Sequence, residues 1–293
     1  MLGLDNYMLS VGILAGIWVL LALGLNVITG YAGQVSLGHA AFYAFGAYTT
    51  AILTTNLGWP WIVTMPLAIV VAAALGVVLG LPSLRLRDDF LAIVTLGLGL
   101  VTQSLALYLP FTGGSLGIGG IPYPALGPLR FDTPAYFAMV VVLVIVGIAL
   151  SAWLARSWVG LGWRALRDDE LAARAMGINV TALKVLAFAV GAGYAGLAGA
   201  LLAHHLGFII AYNFGFAESI TALAMIVVGG LGTVRGPVVG ALLLALAPEV
   251  FRPLADYRMT IYGALVAAVI VLQPQGLLGE RAWLVQRWRW RRG

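Results

Sequence analysis

Long apolar runs recur along the whole of this 293-residue chain, and they decide what it can fold into. A bilayer crossing takes about 20 mostly apolar residues. Runs of that kind cover 8–28, 35–55, 62–81, 90–109, 134–154 and 185–206, and shorter ones cover 216–228, 238–251 and 257–272. Inside hydrocarbon no water satisfies the backbone, so each run has to be helical. The sequence predicts an all-α polytopic membrane protein, a bundle of about eight to ten transmembrane helices forming one domain over 1–293. A chain that is 62% hydrophobic and 9% charged leaves a soluble fold no way to hide its apolar surface. The 38 glycines and 12 prolines fit the same reading, since both are commoner in membrane helices than in soluble ones. Asp5 and no Lys or Arg precede the first run, so it reads as a retained span rather than a secretory signal.

Charge gives the orientation. Basic residues collect in three places: Arg85 and Arg87, the segment from Arg156 to Lys184, and the tail 281–293 with Arg281, Arg287, Arg289, Arg291 and Arg292. With nine spans and an outward N-terminus, all three fall on the cytoplasmic side, as the positive-inside rule requires. The net charge of +5 therefore reports topology and not affinity for nucleic acid. The loop at 110–133 then faces outward. No cysteine is present, which excludes disulfides, thiolate metal sites and a cysteine nucleophile.

Residues 157–184 are a polar island between two apolar runs. Its centre reads as a helix of roughly two turns with both ends marked. Asp168 is the expected N-cap, and Asp169 and Glu170 occupy the first turn, where the helix dipole favours acids. Arg174 lies near the end, Gly177 is the expected left-handed residue beyond it, and Asn179 or Thr181 caps the next helix. A helix this short is marginal alone. It needs a surface, either its own membrane domain or a partner.

Several polar features lie inside or beside the apolar runs. Gln34, Ser36 and His39, with Thr102 and Gln103, are costly in hydrocarbon. They serve either helix-to-helix hydrogen bonding or a solute pathway. The stretch GGLGTVRG at 229–236 lacks the Gly-Lys-Ser/Thr ending of a phosphate loop and reads as a helix break between short spans. GGSLGIGG at 113–120 reads as a flexible outer loop or a docking contact. His204 and His205 stand near a span end and read as interfacial, and Glu218 and Glu249 read as solvated. No nucleophile with a base and no metal-ligand spacing emerges, so the chain reads as non-catalytic and free of metal.

These residues line up with a family. The sequence resembles the membrane-spanning permease subunits of bacterial ABC importers for branched-chain amino acids. The resemblance rests on Gly24-Leu25-Asn26, on Thr29-Gly30-Tyr31-Ala32-Gly33-Gln34-Val35-Ser36-Leu37-Gly38-His39-Ala40, and on Leu84-Arg85-Leu86-Arg87 with Asp89-Phe90-Leu91-Ala92-Ile93-Val94-Thr95-Leu96-Gly97. It continues through Thr112-Gly113-Gly114, Arg164-Ala165-Leu166-Arg167-Asp168-Asp169-Glu170-Leu171-Ala172-Ala173 with Met176-Gly177-Ile178, Gly229-Gly230-Leu231-Gly232-Thr233, and Gln273-Pro274-Gln275-Gly276-Leu277.

The resemblance implies a multi-pass protein of the inner membrane that works with a homologous second permease subunit, two cytoplasmic ATPase subunits and an extracytoplasmic solute-binding protein. ATP and Mg are then used by the ATPase subunits, and this chain binds no cofactor itself. Residues 164–177 become a coupling helix that docks on an ATPase through Arg164, Arg167, Asp168, Asp169, Glu170, Leu171, Arg174, Met176 and Gly177. The expected solutes are leucine, isoleucine and valine, with urea, short amides or aromatic acids as the alternative. A rival class, a stand-alone secondary transporter or channel, calls for a carboxylate in mid-span or broken helices around an ion site.

Overall fold

The computed structural model describes residues 6–83, 88–126, 129–250, 263, 267 and 276–279. They form α1 (Asn6–Leu25), α2 (His39–Asn56), α3 (Trp61–Ser83), α4 (Asp88–Tyr108), α5 (Thr133–Arg156), α6 (Trp158–Asp168), α7 (Glu170–Ala175), α8 (Val180–Leu206), α9 (Phe216–Gly229) and α10 (Arg235–Val250). Among the described residues six helical stretches are long and apolar enough to span a membrane: 6–31, 61–81, 90–108, 133–156, 180–206 and 211–229. The runs expected at 35–55 and 238–251 are the shorter α2 and α10, of 18 and 16 residues. The basic loop at Arg85 and Arg87 and the tail 281–293 lie outside the described residues, as does almost all of the run at 257–272.

The bundle is built around α8, which packs against α1, α2 and α3. Lipid tails are as apolar as leucine, so helix association in a membrane depends on close fit rather than on expelling water. The small residues of α8 supply that fit. A methyl carbon placed on Gly199 would overlap the Tyr43 carbonyl oxygen of α2 and sit 2.7 Å from the Ala47 nitrogen. One on Gly196 would sit 2.7 Å from the Ala68 carbonyl oxygen of α3. Gly199→Ala is therefore expected to lower stability by about 2–3 kcal/mol, the upper part of the range for overpacked cores. Thermal unfolding of the detergent-solubilised protein measures this, and an unchanged midpoint counts against the backbone-to-backbone contact.

The outer loop is not a free tether. Strand β1 (Ile118–Gly119) pairs antiparallel with β4 (Phe208–Ile209) just beyond α8, and β2 (Ala125–Leu126) pairs with β3 (Leu129–Arg130). The glycines that suggested flexibility instead adopt left-handed turns, with φ of 77° at Gly113, 73° at Gly117 and 74° at Gly120. The Trp61 indole nitrogen donates to the Ala125 carbonyl at 3.0 Å, tying the loop to the start of α3. The histidines also depart from the interfacial reading. His204 is buried under the loop, with Nδ1 2.8 Å from the Pro122 carbonyl oxygen, and His205 stacks on Tyr136. A loop that covers the end of α8 turns an interfacial position into an interior one.

Candidate functional site

The polar island holds two helices where one was expected. Ser157 breaks α5 and caps α6, its Oγ accepting from the Gly160 amide. One face of α6 is apolar and buried: Val159, Trp163 and Leu166. The other exposes Trp158 and Leu161. A separate apolar cluster holds that buried face against Val27, Tyr31, Leu154, Ala173, Val180, Leu183 and Ala187. The Trp163 indole donates to the Leu183 carbonyl at 2.9 Å, and its ring stacks on Tyr31. The surface that the short helix requires is thus supplied first by its own chain.

The second helix, α7, has caps at both ends. Its N-cap is Asp169, whose Oδ1 accepts from the Ala172 amide at 3.0 Å. The expected cap, Asp168, is instead the last residue of α6, because α6 runs on to that point. At the far end Gly177 has φ 80°, its amide donates to the Arg174 carbonyl at 3.1 Å, and the Ile178 amide donates to the Ala173 carbonyl at 3.1 Å. That paired pattern is the Schellman closure, which needs a residue without a side chain at the left-handed position. Asn179 then caps α8, accepting from the Ala182 amide at 3.0 Å. Glu170 bonds Arg174 at 3.0 Å and Lys184 at 2.7 Å, fastening α7 to the foot of α8.

The proposed coupling residues divide into two sets. Asp168, Asp169, Arg174 and Gly177 are exposed, and Leu171 and Met176 project with 78% and 82% of their surface open. They form the outer surface of α7. Arg164 and Arg167 turn back into the chain. Arg164 donates to the Ala155 carbonyl at the end of α5. Arg167 Nη1 donates to the Gly30 carbonyl at 2.7 Å. The Arg167 stem also covers Gly33, where a methyl carbon would sit 2.8 Å from its Cγ. Arg167 is therefore a partly buried internal strut.

The strut ends on an irregular region. The last turn of the first span, residues 26–31, is π-helical, a form that recurs at functional sites. From it Asn26 reaches across to the turn between α9 and α10. Its Nδ2 donates to the Thr233 carbonyl at 3.0 Å, and its Oδ1 accepts from the Gly232 amide at 3.0 Å. The amide thus acts as a backbone surrogate. This turn also receives the residue pair Leu277 and Leu278, whose amides donate to the Val228 and Gly229 carbonyls at 2.8 Å each. The GGLG stretch is the helix break that its sequence suggested, with φ of 122° at Gly230 and 76° at Gly232.

Beyond the π turn the chain unwinds over residues 32–38 and re-enters the bundle before α2 begins at His39. The Leu37 amide donates to Thr95 Oγ1 of α4 at 3.0 Å, and the Ala40 amide donates to Ser219 Oγ of α9 at 2.9 Å. Gln34, Ser36 and His39 are buried here, with 2%, 1% and 0% of their surface exposed. Helix-to-helix hydrogen bonding accounts for one of their polar atoms. His39 Nε2 lies 3.2 Å from the Leu21 carbonyl oxygen. Both amide atoms of Gln34, Ser36 Oγ and His39 Nδ1 have no hydrogen-bond partner among the described residues. Thr102 is buried on the inner side of α4, while Gln103 is half-exposed and stands beside Gly215 and Glu218. The sequence-derived pathway set thus splits into a buried group on the unwound segment and Gln103 on another face.

The comparisons with known proteins give the family. Residues 7–273 match the family described as branched-chain amino acid transport system / permease component. The chain is 39% identical to the high-affinity branched-chain amino acid transport system permease protein LivM of Salmonella typhimurium, covering 89% of this chain and 68% of that protein. It is 26% identical to the corresponding LivH of the same organism, covering 91% of this chain and 92% of that protein. It is also 24% identical to the probable permease LivM of Methanocaldococcus jannaschii, covering 91% of each. No solved structure matches the chain. Its apolar helices and its family make it a multi-pass protein of the bacterial inner membrane. With a match that spans nearly its whole length, the chain belongs to the permease components of branched-chain amino acid transport systems.

Proposed function

We propose that this chain is one of two membrane-spanning subunits of an ATP-driven importer of leucine, isoleucine and valine. The observation that carries the reading is the surface of α7. Leu171 and Met176 stand out from a helix capped at both ends and fixed to α8 by the Glu170–Lys184 ion pair. Exposed apolar side chains on a rigid, charged support suit a soluble protein partner. In this reading the partner is an ATPase subunit that supplies the energy, this chain contributes no catalytic group, and a binding protein delivers the solute from outside.

Movement would enter through α7, pass along α6 to Arg167, and reach the π turn and the α9–α10 turn together. Those two are the places where backbone regularity is already broken, so they can change shape without melting a helix.

Reconstitution tests the reading. The chain, placed in liposomes with its second permease subunit, the ATPase pair and the leucine-loaded binding protein, is expected to accumulate leucine only when ATP is supplied. Excess urea, short amides or aromatic acids should leave that uptake unchanged. Uptake driven by an ion gradient with the ATPase subunits left out would overturn it.

A further inference from the structure

The exposed side of α5 changes character in a fixed order. Val142, Ile145, Val146 and Ala149 come first, then Trp153 with 66% of its surface open, then Arg156. These positions recur every three or four residues, so they share one face of the helix. The membrane-spanning stretch 133–156 ends at that arginine. Aliphatic side chains, indole and guanidinium thus follow one another as acyl tails, interface and phosphates do in a bilayer. Helix α6 then crosses this end of the bundle. Its Trp163, Arg164 and Arg167 donate to the carbonyls of Leu183, Ala155 and Gly30, each within three residues of the end of a span. It lies along the membrane boundary, and the face turned away from the bundle carries Trp158 and Leu161.

The corner where α5 meets α6 is basic, and no acid lies between Asp132 and Asp168 to balance it. The Ser157 amide donates to the Trp153 and Leu154 carbonyls at 3.0 and 3.1 Å, and Arg164 donates to that of Ala155. These bonds close α5 without help from Arg156, and they bring a second guanidinium beside it. Among the described residues Arg156 has no ion pair or hydrogen bond. The indole N–H groups of Trp153 and Trp158 have no acceptor there either, whereas those of Trp61 and Trp163 bond carbonyls. The first turn of α6 adds the positive end of a helix dipole. An apolar cleft of about 950 Å³ leads away from this corner between α3, α5 and α8, walled by Ile69, Val146 and Leu150 and floored by Gly193. Its Tyr194 hydroxyl and Trp61 indole are turned to the Gly147 and Ala125 carbonyls, which leaves it no free polar side chain. Along α5 it runs from Ala135 to Leu150, three residues before Trp153. That is about 22 Å of helical rise, more than the roughly 15 Å of hydrocarbon in one leaflet.

We propose that this corner binds an anionic phospholipid of the adjoining leaflet. Arg156 takes the phosphate, the indoles of Trp153 and Trp158 donate to headgroup oxygens, and an acyl chain fills the cleft between α3 and α5. Basic residues at a membrane boundary attract anionic lipids, and indoles prefer the same layer. A diffusible phosphate would satisfy the arginine and leave the cleft empty. An apolar helix from a partner would cover the cleft and leave the arginine unpaired. An amphiphile meets both needs at once. The bound lipid holds the start of α6, the helix that carries Arg167, against the bundle.

The experiment uses the complete transporter in liposomes. Leu161→Cys gives the chain a single thiol, since the natural sequence has none, and a small fluorophore is attached to it before assembly. Phosphatidylglycerol or phosphatidylcholine brominated in the acyl chains is then added as quencher. The anionic lipid is expected to quench at about a fivefold lower mole fraction than the neutral one, the factor that one basic residue contributes near a membrane surface. Arg156→Gln should erase that preference, Arg156→Lys should keep it, and inorganic phosphate should not compete. Equal quenching by the two lipids, or a preference that survives Arg156→Gln, would overturn the proposal. So would a label that neither lipid reaches until the ATPase subunits are removed, because the face would then belong to them. Should Leu161→Cys fail to assemble, Ala149→Cys on the exposed stripe of α5 gives the same readout. Quenching needs no transport, so its outcome is separate from that of the importer reading.

Discussion

Replacing Leu171 and Met176 together by aspartate is expected to strip the ATPase subunits from the solubilised complex. Each is an exposed apolar side chain on the outward surface of α7, and such anchors contribute about 2 kcal/mol apiece when a partner covers them. Losing both lowers affinity on the order of 100–1,000-fold, and ATP-driven uptake should fall with it. The change leaves the fold of the segment alone. The caps Asp169 and Gly177 are untouched, and so is Ala173, which is buried beneath α7. Thermal unfolding of the permease by itself should therefore match the wild type. Co-purification of the ATPase subunits at wild-type stoichiometry would show that α7 is not their docking surface.

Arg167→Ala should give the opposite pattern. Its guanidinium bonds the Gly30 carbonyl inside the chain, so the ATPase subunits should stay bound. What fails is transmission. A hydrogen bond to a charged group contributes about 1.5–3 kcal/mol, and its loss frees α6 from the π turn. Leucine moved per ATP hydrolysed should fall about tenfold or more, since each 1.4 kcal/mol is one factor of ten. Arg167→Lys should recover part of the ratio, because an ammonium can reach one carbonyl but lacks the planar fork. Loss of co-purification in Arg167→Ala would instead return Arg167 to the contact surface that its sequence position suggests.

The contrast between these two variants shows how far the sequence could be read. Periodic apolar runs announce long spans because lipid leaves a backbone no choice but to be helical. The far end of α7 and the cap of α8 were legible too, since Gly177 and Asn179 each carry a local hydrogen-bonding reason for their place, whereas the expected cap Asp168 proved to close α6 and left Asp169 to cap α7. Direction was not legible. Arg167 and Arg174 belong to the same charged stretch, yet one points inward and one outward. The difference is set by α6, whose buried face turns Arg167 toward Gly30 and Gly33. It is the family match that places the chain among permease subunits and not among stand-alone transporters.

Asn26 carries a further consequence, for how the chain is made. Its two partners are the backbone groups of Gly232 and Thr233, as many as 207 positions later in the chain. At synthesis rates of about 5–20 residues per second, on the order of 10–40 s separates the arrival of the amide from that of its partners. During that interval the first span holds a polar group that hydrocarbon cannot satisfy. Insertion of the α9–α10 hairpin ends that exposure, so a truncated or stalled chain keeps an open amide in the bilayer as a mark of incompleteness.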